Sequence, residues 1–496
     1  MNNFTVHIIP NRKASLTACF FLFFTCFTSH AQHWQFDTNS LKAYNLALNL
    51  QIEEALALIP EPKTNQEHYV VSLAQSLELL INEDNEKFSE YESQFQKILE
   101  RRIKSASPEE YFLQAELHMQ WTFVYLKFGH ELDAALNLRQ AYLIVQDCKK
   151  NYPNYIAIKK TSGLLDLIIG SIPEKYEWVL GLLGMQGSID FGFKELESVE
   201  LGDSHLGFEA EILHALVQGY ILQKPDVGVA EITAILKEHP DNKLVLFLAA
   251  ALSIKNSQSE EAIDYLHKIT SSNQGMPIYY AYYLLGEVYL HKADYVTAIT
   301  SYRWFLKHYK GQNYLKDANY KIGLCYLLNG NSNDAAVTFK ATKSIGKESC
   351  EADRYAARSI AEPEFPHIEL TKVRYYTDGG YYTEAQKILE SITPKDIPTK
   401  RDQVEYYYRK ARLAHKTNKL SAAKLFYKQT IDLNGEESWY YAPNSCLQLG
   451  YILENEKDFA GAEHYFEQAM IYKKHEYKNS IDSKAKSALG QLNKRK

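Results

Sequence analysis

The stretch Tyr282–Phe339, YYLLGEVYLHKADYVTAITSYRWFLKHYKGQNYLKDANYKIGLCYLLNGNSNDAAVTF, decides how this chain folds. Leu285, Gly286, Tyr289, Ala298 and Tyr302 recur 37 residues later as Ile322, Gly323, Tyr326, Ala335 and Phe339. A small residue in one helix, an aromatic residue a turn later, and an alanine and an aromatic residue in a second helix let two antiparallel helices close on each other. Such a hairpin buries its apolar face only against its neighbours, so copies must stack.

This spacing resembles the tetratricopeptide repeat. It implies an all-α fold, a right-handed solenoid of tetratricopeptide-type helical hairpins. The same register extends along the chain. Ala43 and Ala55 mark a degenerate first hairpin, ended by Pro60 and Pro62 because proline cannot continue a helix interior. Ser107-Pro108-Glu109-Glu110 reads as a helix start with a capping box, followed by a hairpin carrying Trp121, Tyr125, Ala134, Leu138 and Ala141 around Phe128-Gly129-His130. Ala250, Ala262, Leu266 and Ile269 continue the register, with Ser257 as cap and Glu260 closing it. Val373, Tyr376, Ala385, Leu389 and Ile392 frame a hairpin around Asp378-Gly379-Gly380. Ala411, Ala423, Tyr427 and Thr430 are matched 39 residues on by Gly450, Ala462, Phe466 and Ala469.

One segment changes composition. Gly181, Gly184, Gly187 and Gly192 fall among Trp178, Leu180, Leu182, Leu183, Phe191 and Phe193. No strand precedes them and no Lys-Ser/Thr follows, so a close-packed bend fits better than a phosphate loop. The runs Ile168-Ile169-Gly170-Ser171-Ile172-Pro173-Glu174-Lys175, Leu180-Gly181-Leu182-Leu183-Gly184-Met185-Gln186-Gly187-Ser188 and Gly192-Phe193-Lys194-Glu195-Leu196 are similar to a segment of tetratricopeptide-repeat family 39, which groups animal proteins with the yeast inclusion-body clearance proteins. The resemblance covers roughly residues 165–345. It implies a helical, non-enzymatic interaction protein and carries over no site residue. Those relatives work inside the cell, whereas this chain begins with an export pattern.

Arg12 and Lys13 precede an apolar run from Ala14 to Phe27, and Ser29-His30-Ala31 supplies small residues for cleavage before Gln32. The run reaches only about 21 Å as a helix, short of a hydrocarbon core of about 30 Å, so it reads as a secretory signal peptide and not a membrane span. Leu16-Thr17-Ala18-Cys19 resembles a lipobox, but the apolar segment follows Cys19 instead of preceding it. The organisation expected is a signal peptide (residues 1–31), N-terminal helical hairpins (32–170), a glycine-rich bend (171–208) and a C-terminal tetratricopeptide solenoid (209–496).

The net charge of −6, falling to −8 without residues 1–31, argues against a nucleic-acid partner. Lys484, Lys486, Lys494, Arg495 and Lys496 read as the solvated, dipole-compensating tip of a last helix. Cys148, Cys325, Cys350 and Cys446 have no short-spaced pairing, so neither a disulfide nor a zinc site is expected. The 37 tyrosines suit both helix packing and recognition. There is no HExxH helix, GxSxG elbow or phosphate loop, and Gly202-Asp203-Ser204-His205 reads as a helix cap, so no enzyme activity, metal or cofactor is expected.

Function then belongs to the groove that the first helices of the hairpins line. Offsets of −6, −3, +1, +4 and +5 from each small residue select Tyr280, Tyr283, Glu287 and His291, then Asp317 and Tyr320. Further on they select Tyr408, Arg412, His415 and Lys416, then Tyr451 and Glu454. Aromatic residues with both charge signs suit a protein or peptide partner. The expectation is an exported, non-catalytic scaffold in the periplasm or at the cell envelope. The alternative is a glycan-binding envelope protein of the starch-utilisation receptor type.

Overall fold

A computed structural model describes residues 34–100, 107–172, 181, 184–202, 205–362, 364–393, 395 and 397–493. The expected signal peptide, residues 173–180 and 182–183 of the glycine-rich segment, Asp203-Ser204 and residues 494–496 lie outside the described residues.

The described residues form helices joined by short turns, with no strand among them. Paired in order they are Thr38–Leu48 (α1) with Ile52–Leu58 (α2), Asn65–Asn82 (α3) with Asn85–Leu99 (α4), Pro108–Phe128 (α5) with Glu131–Asn151 (α6), and Ile158–Gly170 (α7) with Ile189–Gly202 (α8). Gly207–Leu216 (α9) runs into a π turn, Val217–Ile221, and pairs with Pro225–Glu238 (α10). Then follow Lys243–Lys255 (α11) with Ser259–Ser271 (α12), Tyr280–His291 (α13) with Tyr295–His308 (α14), and Leu315–Leu328 (α15) with Ser332–Thr342 (α16). After Glu351–Ala361 (α17) come Ile368–Gly379 (α18) with Tyr382–Ser391 (α19), Lys400–Lys416 (α20) with Leu420–Asn434 (α21), Tyr441–Asn455 (α22) with Phe459–Ile471 (α23), and a last helix, Lys478–Asn493 (α24). This is a solenoid of tetratricopeptide-type hairpins.

The repeat residues do the packing the spacing predicts. Ala298, Ala335, Ala423 and Ala462 are wholly buried, as are the rings of Tyr302, Tyr427 and Phe466. Inside five of the hairpins the chain turns through one left-handed residue: Ser257, Ala293, Gly330, Asn418 and Lys457. The next N–H then donates to the carbonyl five residues back, as Gln258 does to Ser253 at 2.8 Å and Asp294 to Tyr289 at 2.9 Å. This turn corrects the expected cap at Ser257. The left-handed position is occupied by Ser257 itself, Gln258 is the N-cap and makes no side-chain cap bond, and Glu260 instead binds Lys292 at 2.8 Å and the Tyr381 hydroxyl at 2.8 Å. Ser107 Oγ does accept the Glu110 N–H at 3.3 Å. A reciprocal capping box forms at Thr64 and Glu67, which sequence reading passed over.

In the glycine-rich region, α7 and α8 cross closely: a β-carbon on Gly192 would lie 2.6 Å from the Gly163 carbonyl oxygen. The apolar core does not pause at residue 208, since one cluster takes in Trp34, Val199, Leu206, Ala210 and Tyr375. Cys148, Cys325 and Cys446 are buried free thiols within the helices, packed as small apolar residues.

The solenoid also packs on itself. The Met276 N–H donates to the Leu50 carbonyl at 2.8 Å, and the Lys243 N–H donates to Asn49, 194 positions away. Ser483 on α24 reaches the Ser171 carbonyl across 312 positions, at 3.3 Å. Early helices therefore meet later ones at these points, and the groove of the array is closed there.

Candidate functional site

Where the successive turns do not meet, they leave a cavity of about 1230 Å³. Its walls come from four directions: residues 221–227, from the end of the π turn into the start of α10, the end of α11 at Lys255, α18 at Arg374 and Asp378, and the inner faces of α20, α22 and α24. Arg412, His415 and Lys416 face it from α20 because residues three and four apart share one side of a helix. Tyr451 and Glu454 face it from α22 for the same reason.

The expected groove residues thus divide into two groups. Tyr408, Arg412, His415, Lys416, Tyr451 and Glu454 are brought together around this cavity. Tyr280, Tyr283, Glu287, His291, Asp317 and Tyr320 are instead committed to internal contacts. The Tyr283 hydroxyl donates to Asp317 at 2.5 Å, and Lys321 bridges Asp317 at 2.8 Å and Glu287 at 2.6 Å. Tyr302 donates to Glu287. His291 meets Ser259 Oγ at 3.1 Å, Lys127 lies 5.9 Å from the Tyr280 ring, and Tyr320 packs on Phe339. The groove-facing offsets are correct for an isolated array. Here α5 and α18 fill that part of the groove.

The cavity wall is built on a polar frame. Arg409 holds Glu405 at 2.6 Å and the Tyr440 hydroxyl at 3.2 Å, and the Tyr441 hydroxyl donates to Glu405 at 2.8 Å. Asn444 donates to the Tyr408 hydroxyl at 2.9 Å. Arg374 donates to the Tyr355 hydroxyl at 2.7 Å, and both Arg374 and Arg412 lie 3.8 Å from Asp378.

Cations outnumber acids in the lining, and their titration reflects it. Burial, and then the Arg412 guanidinium, push the Lys416 ammonium down to about 8. Burial, followed by Lys255 and Arg412, brings Lys484 down to about 8 as well. Burial lowers Lys255, and burial with Arg412 and Lys416 beside it takes His415 to about 4. Each shift opposes the charged form of a base: burial is the largest cause throughout, and neighbouring cations add to it at Lys416, Lys484 and His415.

Lys484 was expected on a solvated tip, and the structure corrects this: it faces the cavity. Lys255 and residues 221–227 carried no sequence signal, because they meet α20 and α24 only through the return of the solenoid. Among the described residues no group of three His, Cys, Asp or Glu side chains could hold a metal ion, and no helix is long and apolar enough to cross a membrane. What the lining supplies is charge, phenol hydroxyls and amides.

A tetratricopeptide-repeat family model matches residues 404–437 and 443–470, within α20–α23. No curated protein matches the chain. Among solved structures, a human IFIT1 dimer with PPP-AAAA is 12% identical over 81% of this chain and 96% of its own, with a TM-score of 0.36. The apo form of the quorum sensor NprR from B. thuringiensis is 14% identical over 73% of this chain and 98% of its own, with a TM-score of 0.33.

Proposed function

We propose that this chain is an exported, non-catalytic scaffold that holds a peptide segment of a protein partner in the cavity between its α18, α20, α22 and α24 helices, in the periplasm or at the cell envelope. The observation that carries the binding reading is the cavity itself. About 1230 Å³ is room for several residues of an extended chain, and charged, phenolic and amide side chains converge on it from four sides. Helical repeats present such surfaces to partners, and the likeness of residues 165–345 to family 39 adds a non-enzymatic interaction role. The export reading rests on Arg12, Lys13, the Ala14–Phe27 run and the Ser29-His30-Ala31 site.

A photo-crosslinking residue placed at Tyr451, inside the cavity, tests the binding. It should give protein adducts of discrete mass in the producing cell, while the same probe at Ile471, an exposed position away from the cavity, should not. Equal adducts at both positions, or none at Tyr451, would sink the reading. Intact-mass analysis of the same preparation tests export: the product should begin at Gln32, and a chain keeping residues 1–31 in the cytoplasm overturns the location.

A further inference from the structure

The cavity's charge narrows what kind of segment it accepts. Lys255, Lys416 and Lys484 come from α11, α20 and α24, so three separate elements aim an ammonium into one space. Among the described residues none of the three has a carboxylate within 4.0 Å, although each is half-buried in the cavity wall. Lys255 has only the Tyr220 ring, 5.1 Å away. Asp378, the acid on α18, is shared between Arg374 and Arg412 at 3.8 Å each; it and Asp226 act on Lys416 only from beyond ion-pair distance. Buried charges are ordinarily paired, so a cluster of this kind is completed from outside.

We infer that the partner segment is acidic: the cavity takes a run of Asp or Glu side chains, with Lys255, Lys416 and Lys484 pairing with their carboxylates. This deepens the binding reading above and rests on it. Two features favour a polypeptide over a nucleic acid. Asn444, Gln448 and Gln491 offer amides that match a main chain's N–H and C=O groups, and Asp226, Asp378 and Glu454 interrupt the cations where a phosphate backbone would need continuity. The chain's net charge of −6 also gives no long-range pull on a polyanion, so the attraction is confined to the cavity.

The test measures fluorescence anisotropy with the full chain and a labelled hexaglutamate peptide, against hexaglutamine, maltohexaose and an oligothymidylate of matching charge. Hexaglutamate should bind at least about tenfold tighter than hexaglutamine at about 50 mM salt and lose most of that margin at about 500 mM. Lys416→Met and Lys484→Met, which keep the apolar stem, should each weaken it about fivefold, while Lys416→Arg should retain binding. Circular dichroism and melting curves matching the unaltered chain confirm that the variants fold. No binding of hexaglutamate, equal binding of hexaglutamine, methionine variants that bind as before, or tighter binding of the oligothymidylate or the sugar each overturns the inference. Discrete protein adducts at Tyr451 with no preference for glutamate would reject the acidic segment and keep the scaffold; loss of both would reject the scaffold too.

Discussion

The ring of Tyr302 occupies the place of the side chain that Gly286 lacks: a β-carbon at 286 would lie 2.5 Å from the ring's Cε1 atom. Gly323 stands in the same relation to Phe339 and Gly450 to Phe466, each at 2.4 Å. Alanine would gain up to about 1 kcal/mol of helix propensity at these sites. Overpacking costs about 1–3 kcal/mol, and the Tyr302 ring is wholly buried and tied to Glu287, so it cannot swing aside. Gly286→Ala and Gly450→Ala should therefore each destabilise the chain by a net of up to about 2 kcal/mol in urea denaturation. Gly490, on α24 with nothing within 4 Å, is the control: its alanine variant should be neutral or slightly stabilising.

These same contacts explain how much of the fold was legible. Gly286, Ala298 and Tyr302 act on one another across a single hairpin, and sequence spacing records neighbours at that range. The site was half legible for the matching reason. Offsets from Ala411 and Gly450 found Arg412, Lys416 and Tyr451, because the face they occupy stays open. The same rule at Tyr283 and Asp317 found residues sealed by helices from elsewhere in the chain. Lys255 and Lys484 share a wall only because the solenoid returns on itself, and no local pattern encodes that.

Lys160 lies between Glu116 and Glu209, 2.8 Å from each, with its side chain 4% exposed. Lys160→Met would leave two buried carboxylates facing each other, whereas Glu116→Gln leaves a neutral Lys160–Glu209 pair. The first should cost about 3–5 kcal/mol, and the second clearly less. Burial raises the Glu116 carboxyl above 4.5. Its contribution is then fully present below pH 4.5 and lost as pH rises through the folded value. Stability of the Glu116→Gln variant, measured by urea denaturation from acid to neutral pH, should consequently fall less with rising pH than that of the unaltered chain.

At pH 8 the Lys416 and Lys484 amines, both brought down to about 8, should be about half neutral. Surface lysines near 10.4 remain almost wholly charged. Brief acylation at that pH, read by peptide mass spectrometry, should modify these two about tenfold faster than the exposed surface lysines. Hexaglutamate should protect them. The unfolded amines titrate near 10.5, so the unfolded chain binds more protons between pH 8 and 10.5. The cost these charges impose on folding is complete below pH 8 and is relieved as pH rises toward 10.5. Equal labelling of all lysines would mean that the two side chains face solvent.

Glu83 joins one turn of the solenoid to the next. Its side chain is 3% exposed and accepts the Tyr309 hydroxyl at 2.7 Å, the Gln312 N–H at 2.7 Å, and Asn313 through its N–H at 3.2 Å and its amide at 2.9 Å, with Lys127 at 3.4 Å. Tyr309, Gln312 and Asn313 lie between α14 and α15, 226 to 230 positions along the chain, so the carboxylate closes a contact that the hairpins alone cannot make. Hydrogen bonds to a charged group are each worth about 1.5–3 kcal/mol, but a glutamine can keep only some of them, since its amide nitrogen would face donors. Glu83→Gln should therefore lower stability by about 1–3 kcal/mol. Stability in a solenoid is distributed repeat by repeat, so the loss should be local. Hydrogen exchange should speed up at Gln312 and Asn313 and in the first turn of α15, and stay unchanged in α20–α23. A uniform rise in exchange along the chain would show that the two turns unfold as one unit and that Glu83 is not a separate latch.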